Sequence, residues 1–230
     1  MSLFLKLIMT NMRLNIHFNV KITQFIKRFI IADTALFAGW GFVDPIFSIF
    51  IIKEIAGASL VTVGIATSIY WILKSIIQVP IAVYLDKTDG ERDDFYALVA
   101  ALILVGFSAI SISLATRVWH VYLIQVLKAA GFGMYVASWP AIFSRHLDKK
   151  HTSLDWSLDS TSVGLAIGFT GLLSGVVVTW WGYSAVFILA GIFSFISAAV
   201  LLSVPNVIFP KKTDGGPIVI KDHTPRNLAK

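Results

Sequence analysis

Six long apolar stretches, separated by short polar breaks, make up most of the chain: Phe29–Ile52, Leu60–Leu85, Phe95–Thr116, Trp119–Phe143, Leu158–Trp181 and Ala185–Phe209. Each has roughly 20 or more residues, enough at ~1.5 Å rise per residue to cross a ~30 Å hydrocarbon layer as a helix. The pattern predicts an all-α membrane protein with six transmembrane helices in an up-down bundle over residues 29–209. Residues 1–28 read as a cytoplasmic lead with interfacial character, because Lys6 breaks the run Leu3–Thr10 and no small-residue cleavage site follows. Residues 210–230, with Gly215, Gly216 and mixed charge, read as a flexible cytoplasmic tail.

Composition narrows the class further. Of 230 residues 57% are hydrophobic and 14% charged, against about 25% charged in a soluble domain. The absence of cysteine excludes disulfides and thiolate metal sites. No cofactor is expected.

The net charge of +6 changes meaning once it is placed on the chain. With the N-terminus inside, 15 of the 19 Lys and Arg fall on the inner side, Lys53 and Arg117 fall in outer loops, and Lys74 and Lys128 fall inside spans. This asymmetry is the positive-inside rule, and it predicts a multi-pass cell-membrane protein with both termini cytoplasmic. The basic excess serves topology and contact with the lipid bilayer. No folded basic face is left over for nucleic acid.

Lipid penalises charge, so the charges inside spans are the first functional candidates. Asp44 and Lys128 are expected at similar depth, roughly 12–14 Å below the outer end at ~1.5 Å per residue, with Lys74 one to two turns deeper. They form either an ion pair that sets helix register or a polar cavity. Their charges sum to +1, which could accommodate an anionic group. Gln78 and Gln125 could join such a cavity, and Trp40, Tyr70, Trp71, Tyr135 and Trp139 could line it or simply pack. Asp33 lies close enough to the headgroups to be interfacial.

Backbone signals are weaker. Pro45, Pro80 and Pro140 fall within spans and can kink them. Gly164, Gly168, Gly171 and Gly175 form one stripe, which predicts close packing against a partner helix. The five histidines form no cluster, and neither a His-Glu-x-x-His nor a Gly-x-Ser-x-Gly pattern occurs, so the chain is not expected to be an enzyme.

Three segments carry a family resemblance. The segment Ala82–Arg92, between spans two and three, places Asp86, Gly90 and Arg92 much as in the motif Gly-x3-Asp-x2-Gly-Arg-Arg/Lys. Gln125–Gly133 and the glycine stripe running into the corner Trp181-Gly182-Tyr183 are similar to span-four and span-five segments of the same family. Together they resemble the N-terminal half of a major facilitator superfamily (MFS) transporter, over about residues 25 to 209. The resemblance implies a half-bundle with a 3+3 inverted repeat, substrate near the midplane, and a second six-helix half. That half would be a second copy or a separate chain, unless this chain is a truncated product. The resemblance also implies a cytoplasmic gate built on Asp86, Gly90 and Arg92 with help from Arg145. The expected function is secondary transport of a small-molecule solute, with coupling to protons through Asp44 left open. The rival is an accessory or truncated membrane protein that does not transport.

Overall fold

A computed structural model describes residues 23–87, 92–148 and 151–203. They form six helices: α1 (Gln24–Glu54), α2 (Leu60–Leu85), α3 (Arg92–Ile112), α4 (Val118–His146), α5 (Thr152–Trp181) and α6 (Tyr183–Leu202). All six are long and apolar enough to cross a membrane. The cytoplasmic lead and tail expected at the chain ends lie outside the described residues, apart from residues 23–28.

The helices outrun the apolar stretches where the first turn has something to bury. Helix α1 starts at Gln24 rather than Phe29, capped by the Thr23 hydroxyl accepting from the Ile26 N–H at 3.3 Å. Its first turn buries Phe25 and Ile26. Helix α5 starts at Thr152 rather than Leu158 and buries Asp155 and Asp159 in its first two turns. Pro45, Pro80 and Pro140 do not end their helices: α1, α2 and α4 run through them. The corner between α5 and α6 turns on Gly182 at φ +79°, a conformation that a side chain would strain.

Helices α1 and α4 are the hubs. Helix α1 packs along α5 and α6, α4 packs along α2 and α3, and α3 packs along α6. Exchanging α1 with α4, α2 with α5 and α3 with α6 maps these contacts onto themselves. The same exchange relates two glycine pairs. A Cβ on Gly39 would lie 2.8 Å from Phe193 Cβ on α6, and one on Gly41 2.3 Å from Thr170 Oγ1 on α5. On α4, a Cβ on Gly131 would lie 2.7 Å from Val105 Cγ2 on α3, and one on Gly133 3.0 Å from Ile77 Cγ2 on α2. Glycine at these points brings helix backbones together where lipid supplies no hydrophobic drive, so packing contacts must hold the bundle.

Among the described residues the stripe on α5 meets a helix at one of its four glycines. Cβ atoms on Gly164, Gly168 and Gly175 would meet nothing within 4 Å, and one on Gly171 would only reach the Gly41 carbonyl at 3.6 Å. Within this chain the close approach between α1 and α5 belongs to Gly41. The α1 contact falls on Ile167 and Thr170, beside the stripe, and of the four glycines only Gly171 reaches α1 among the described residues.

Burial divides the six helices. In the most apolar 18 residues, 56% are buried in α1 and in α3 and 50% in α4, but only 11% in α2 and 17% in α5. Helices α2 and α5 therefore lie on the outside of the bundle. At one end, Arg28 donates to the Ser203 hydroxyl at 2.9 Å, and the Ser197 hydroxyl donates to the Ala32 carbonyl at 2.6 Å, tying α6 to α1. At the other, the Ala56 N–H donates to the Thr116 carbonyl at 3.4 Å, tying two loops together.

Candidate functional site

A cavity of about 390 Å³ opens between α1, α2 and α4. It collects residues from widely separated parts of the chain: Phe37, Trp40, Asp44 and Phe47 from α1, Thr67, Tyr70, Trp71 and Lys74 from α2, and Gln125, Lys128, Phe132 and Tyr135 from α4. Asp44, Thr67 and Trp71 line it while staying exposed, so it is open on that side. A larger depression of about 620 Å³ runs along the outer face of α2, but Ser68 is its only polar side chain. It offers nothing to hold a polar solute.

Most of the residues singled out in the sequence meet here. Asp44, Lys74, Lys128, Gln125, Trp40 and Tyr135 all line the cavity, as do Tyr70 and Trp71. Gln78 sits one turn beyond Lys74 on α2 and does not line it. Trp139 is buried in the core instead, stacked on Phe143 with ring centres 4.5 Å apart and set edge-on against Trp156 at 5.9 Å.

The cavity charges do not close a contact ion pair. Among the described residues, no N–O distance within 4.0 Å joins Asp44 to Lys128, although each acts on the other electrostatically. The Lys128 ammonium lies against aromatic faces: 3.9 Å from the Trp40 ring centre, 4.6 Å from Tyr70, 5.8 Å from Phe132 and 5.9 Å from Phe47. Lys74 lies 4.5 Å from the Trp71 ring centre and 5.9 Å from Tyr70. Each ring quadrupole is worth ~0.5–2 kcal/mol to a nearby cation. A ring face stabilises the charge without accepting a conventional hydrogen bond. The buried indole N–H of Trp40 also has no hydrogen-bond partner among the described residues.

A second polar group lies deeper along α1 and α4, toward the end that carries Arg28 and Arg145. The Tyr135 hydroxyl donates to the Asp33 carboxylate, and both residues are buried, at 5% and 4% exposure. Asp33 is thus covered by the bundle rather than open at its surface. Asp159 of α5 is buried nearby and acts electrostatically on both. Tyr135 belongs to both groups, since it also lines the cavity. The missed signal was position: Asp33 and Asp159 each stand near a span end, where depth along one helix does not reveal what covers it.

The expected gate is only partly described. Gly90 lies outside the described residues. Asp86 caps α2 and is exposed, and Arg92 is exposed at the start of α3. The side chain of Arg145 pairs with Asp94 of α3, whose carboxylate is 1% exposed, and not with Asp86. In the sequence Asp94 stands beside Glu91 and Asp93, and nothing in that acidic stretch marks it out.

A family model, Major Facilitator Superfamily, matches residues 29–222. The chain belongs to this superfamily. A solved structure of the POT family transporter PepTSo superimposes on 83% of the chain with a TM-score of 0.66 at 12% identity. At that identity the likeness speaks for the fold. The chain spans 39% of the length of that transporter. This MFS member is a multi-pass membrane protein with the six-helix arrangement of a transporter-family bundle.

Proposed function

We propose that this MFS chain is one half of a secondary transporter that moves a small solute by alternating access, with the cavity between α1, α2 and α4 as its binding surface. The observation that carries the reading is the convergence of Asp44, Lys74 and Lys128 on one open cavity in a bundle of this family. Intramembrane charge is costly, and its usual use is a solute or ion path. A second six-helix half, from another copy or another chain, would supply the missing wall and rock against this one. The contact pattern that survives exchange of the first three helices with the last three supports an inverted repeat within the half.

The polar end of the bundle is read as cytoplasmic from the Lys and Arg balance, with both termini inside a cell membrane. There the Arg145–Asp94 pair, beside Asp86, ties α4 to the start of α3 and acts as part of the gate. Asp44 is the residue through which protons would couple. No covalent chemistry is assigned to the chain. A second reading, a non-transporting accessory chain, draws on the unpacked glycines of α5, which leave a face ready for a partner.

Solute uptake into proteoliposomes under an imposed proton gradient tests the first reading, with Asp44→Asn expected to abolish it. The protein mass in mild detergent tests the assembly, with two copies, or one copy plus another six-span chain, expected. A strict monomer that moves no solute would favour the accessory reading.

A further inference from the structure

We propose that the cavity selects a small organic monoanion, a carboxylate on an apolar body, whose head group binds between Lys74 and Lys128 and whose body lies along the aromatic wall. The proposal rests on the cavity being a solute site and adds the charge class of the solute.

Charge balance is the first argument. The cavity carries two ammonium groups and one carboxylate, a formal +1. Asp44 acts electrostatically on Lys128, while Lys74 has no carboxylate beside it among the cavity residues. One bound negative charge makes the set neutral, which is the state a low-dielectric surround favours. Hydrogen bonding is the second. Neither ammonium has a hydrogen bond or a contact ion pair among the described residues, so up to six N–H donors face only rings and cavity. A carboxylate with four lone-pair sites fits that demand.

The third argument decides against an organic cation, which aromatic walls would otherwise suit. Most of those rings already face the protein's own cations: Trp40, Tyr70, Phe132 and Phe47 neighbour Lys128, and Trp71 neighbours Lys74, leaving Phe37 and Tyr135. A cationic ligand on the same wall would meet two like charges. Both ammonium groups neighbour the Tyr70 ring, at 4.6 and 5.9 Å, so a head group beside that ring lies within the field of both.

Calorimetric titration of the full chain in phosphatidylcholine nanodiscs, with empty nanodiscs subtracted, tests this. Three probes share one ring and differ in charge: benzoate, benzamide and benzylamine. Benzoate is expected to bind saturably and the other two at least about tenfold more weakly. Lys74→Gln is expected to weaken benzoate about tenfold, Lys74→Arg to retain it, and Asp44→Asn to tighten it. Lys74 is half-exposed, so its variants should keep the wild-type elution volume. Preference for benzylamine, or equal binding of benzamide, overturns the anion assignment and leaves the cavity reading standing. Competition by phosphatidylglycerol added to the nanodiscs overturns it in favour of a lipid head group. No saturable binding by any probe overturns both the assignment and the cavity reading.

Discussion

Helices α1 and α4 handle charge in two opposite ways along their length. Toward the Arg28 and Arg145 end, acids are buried and matched with protein donors: Asp33 takes the Tyr135 hydroxyl, and Asp94 takes the Arg145 guanidinium. In the cavity, Asp44, Lys74 and Lys128 make no hydrogen bond or contact ion pair among the described residues, and the two ammonium groups lie against rings. The first set is partnered within the fold, although Oδ1 of Asp94 and of Asp159 have no hydrogen bond among the described residues. The second set is held apart by helix placement and left for something that is not part of the chain. A buried matched pair costs much when one member is lost, whereas an open unmatched charge costs the fold little and function much.

Breaking the matched set should give the largest effect. Arg145→Ala leaves the Asp94 carboxylate buried without its cation, at a cost of ~3–5 kcal/mol. Thermal unfolding in detergent should show a large drop in melting temperature, and Asp94→Asn added to it should recover much of the loss. A double variant no better than the single one would show that the pair is not coupled. Next comes the packing that keeps the helices in place. Gly41→Val forces a side chain into Thr170 and Ile167 of α5, for ~1–3 kcal/mol or more. Tyr135→Phe removes the donor to Asp33 and should cost ~1–3 kcal/mol, read from the same melts; Asp33→Asn in that background should offset part of it.

The cavity set should answer differently. Asp44→Asn is expected to leave the melting temperature nearly unchanged, within the ~0.5 kcal/mol typical of open positions, while solute uptake is lost. A large loss of stability would place Asp44 with the matched acids instead. The smallest effect is expected on the outer face of α5. Gly168→Ala meets open space and should be neutral within ~0.5 kcal/mol in the isolated chain. Any loss of a co-purifying partner in that variant would show the stripe acting between chains.

Much of the cavity was legible in advance because each of its charges announces itself alone. A single Asp or Lys within some twenty apolar residues needs no neighbour to be noticed. The close glycines were less legible. The patterns Gly39-Trp40-Gly41 and Gly131-Phe132-Gly133 repeat in the two hub helices, but a two-residue repeat does not say which helix each glycine meets. The four-glycine stripe on α5 is the louder pattern, and among the described residues it meets no helix along most of its length. Spacing reports which residues share a face, not what lies opposite.

Span number, the all-α class and the side bias of Lys and Arg were decided by the sequence, because hydropathy and charge act residue by residue against the lipid. The ionic and packing partners were decided only in three dimensions. Depth along one helix placed Asp44 and Lys128 level with each other, yet they form no contact pair; it placed Asp33 at the interface, yet Tyr135 of α4 covers it. The physical reason is that depth follows from one helix and its solvent, whereas a contact needs the rotation and spacing of two. Those are set by the close approaches at Gly39, Gly41, Gly131 and Gly133.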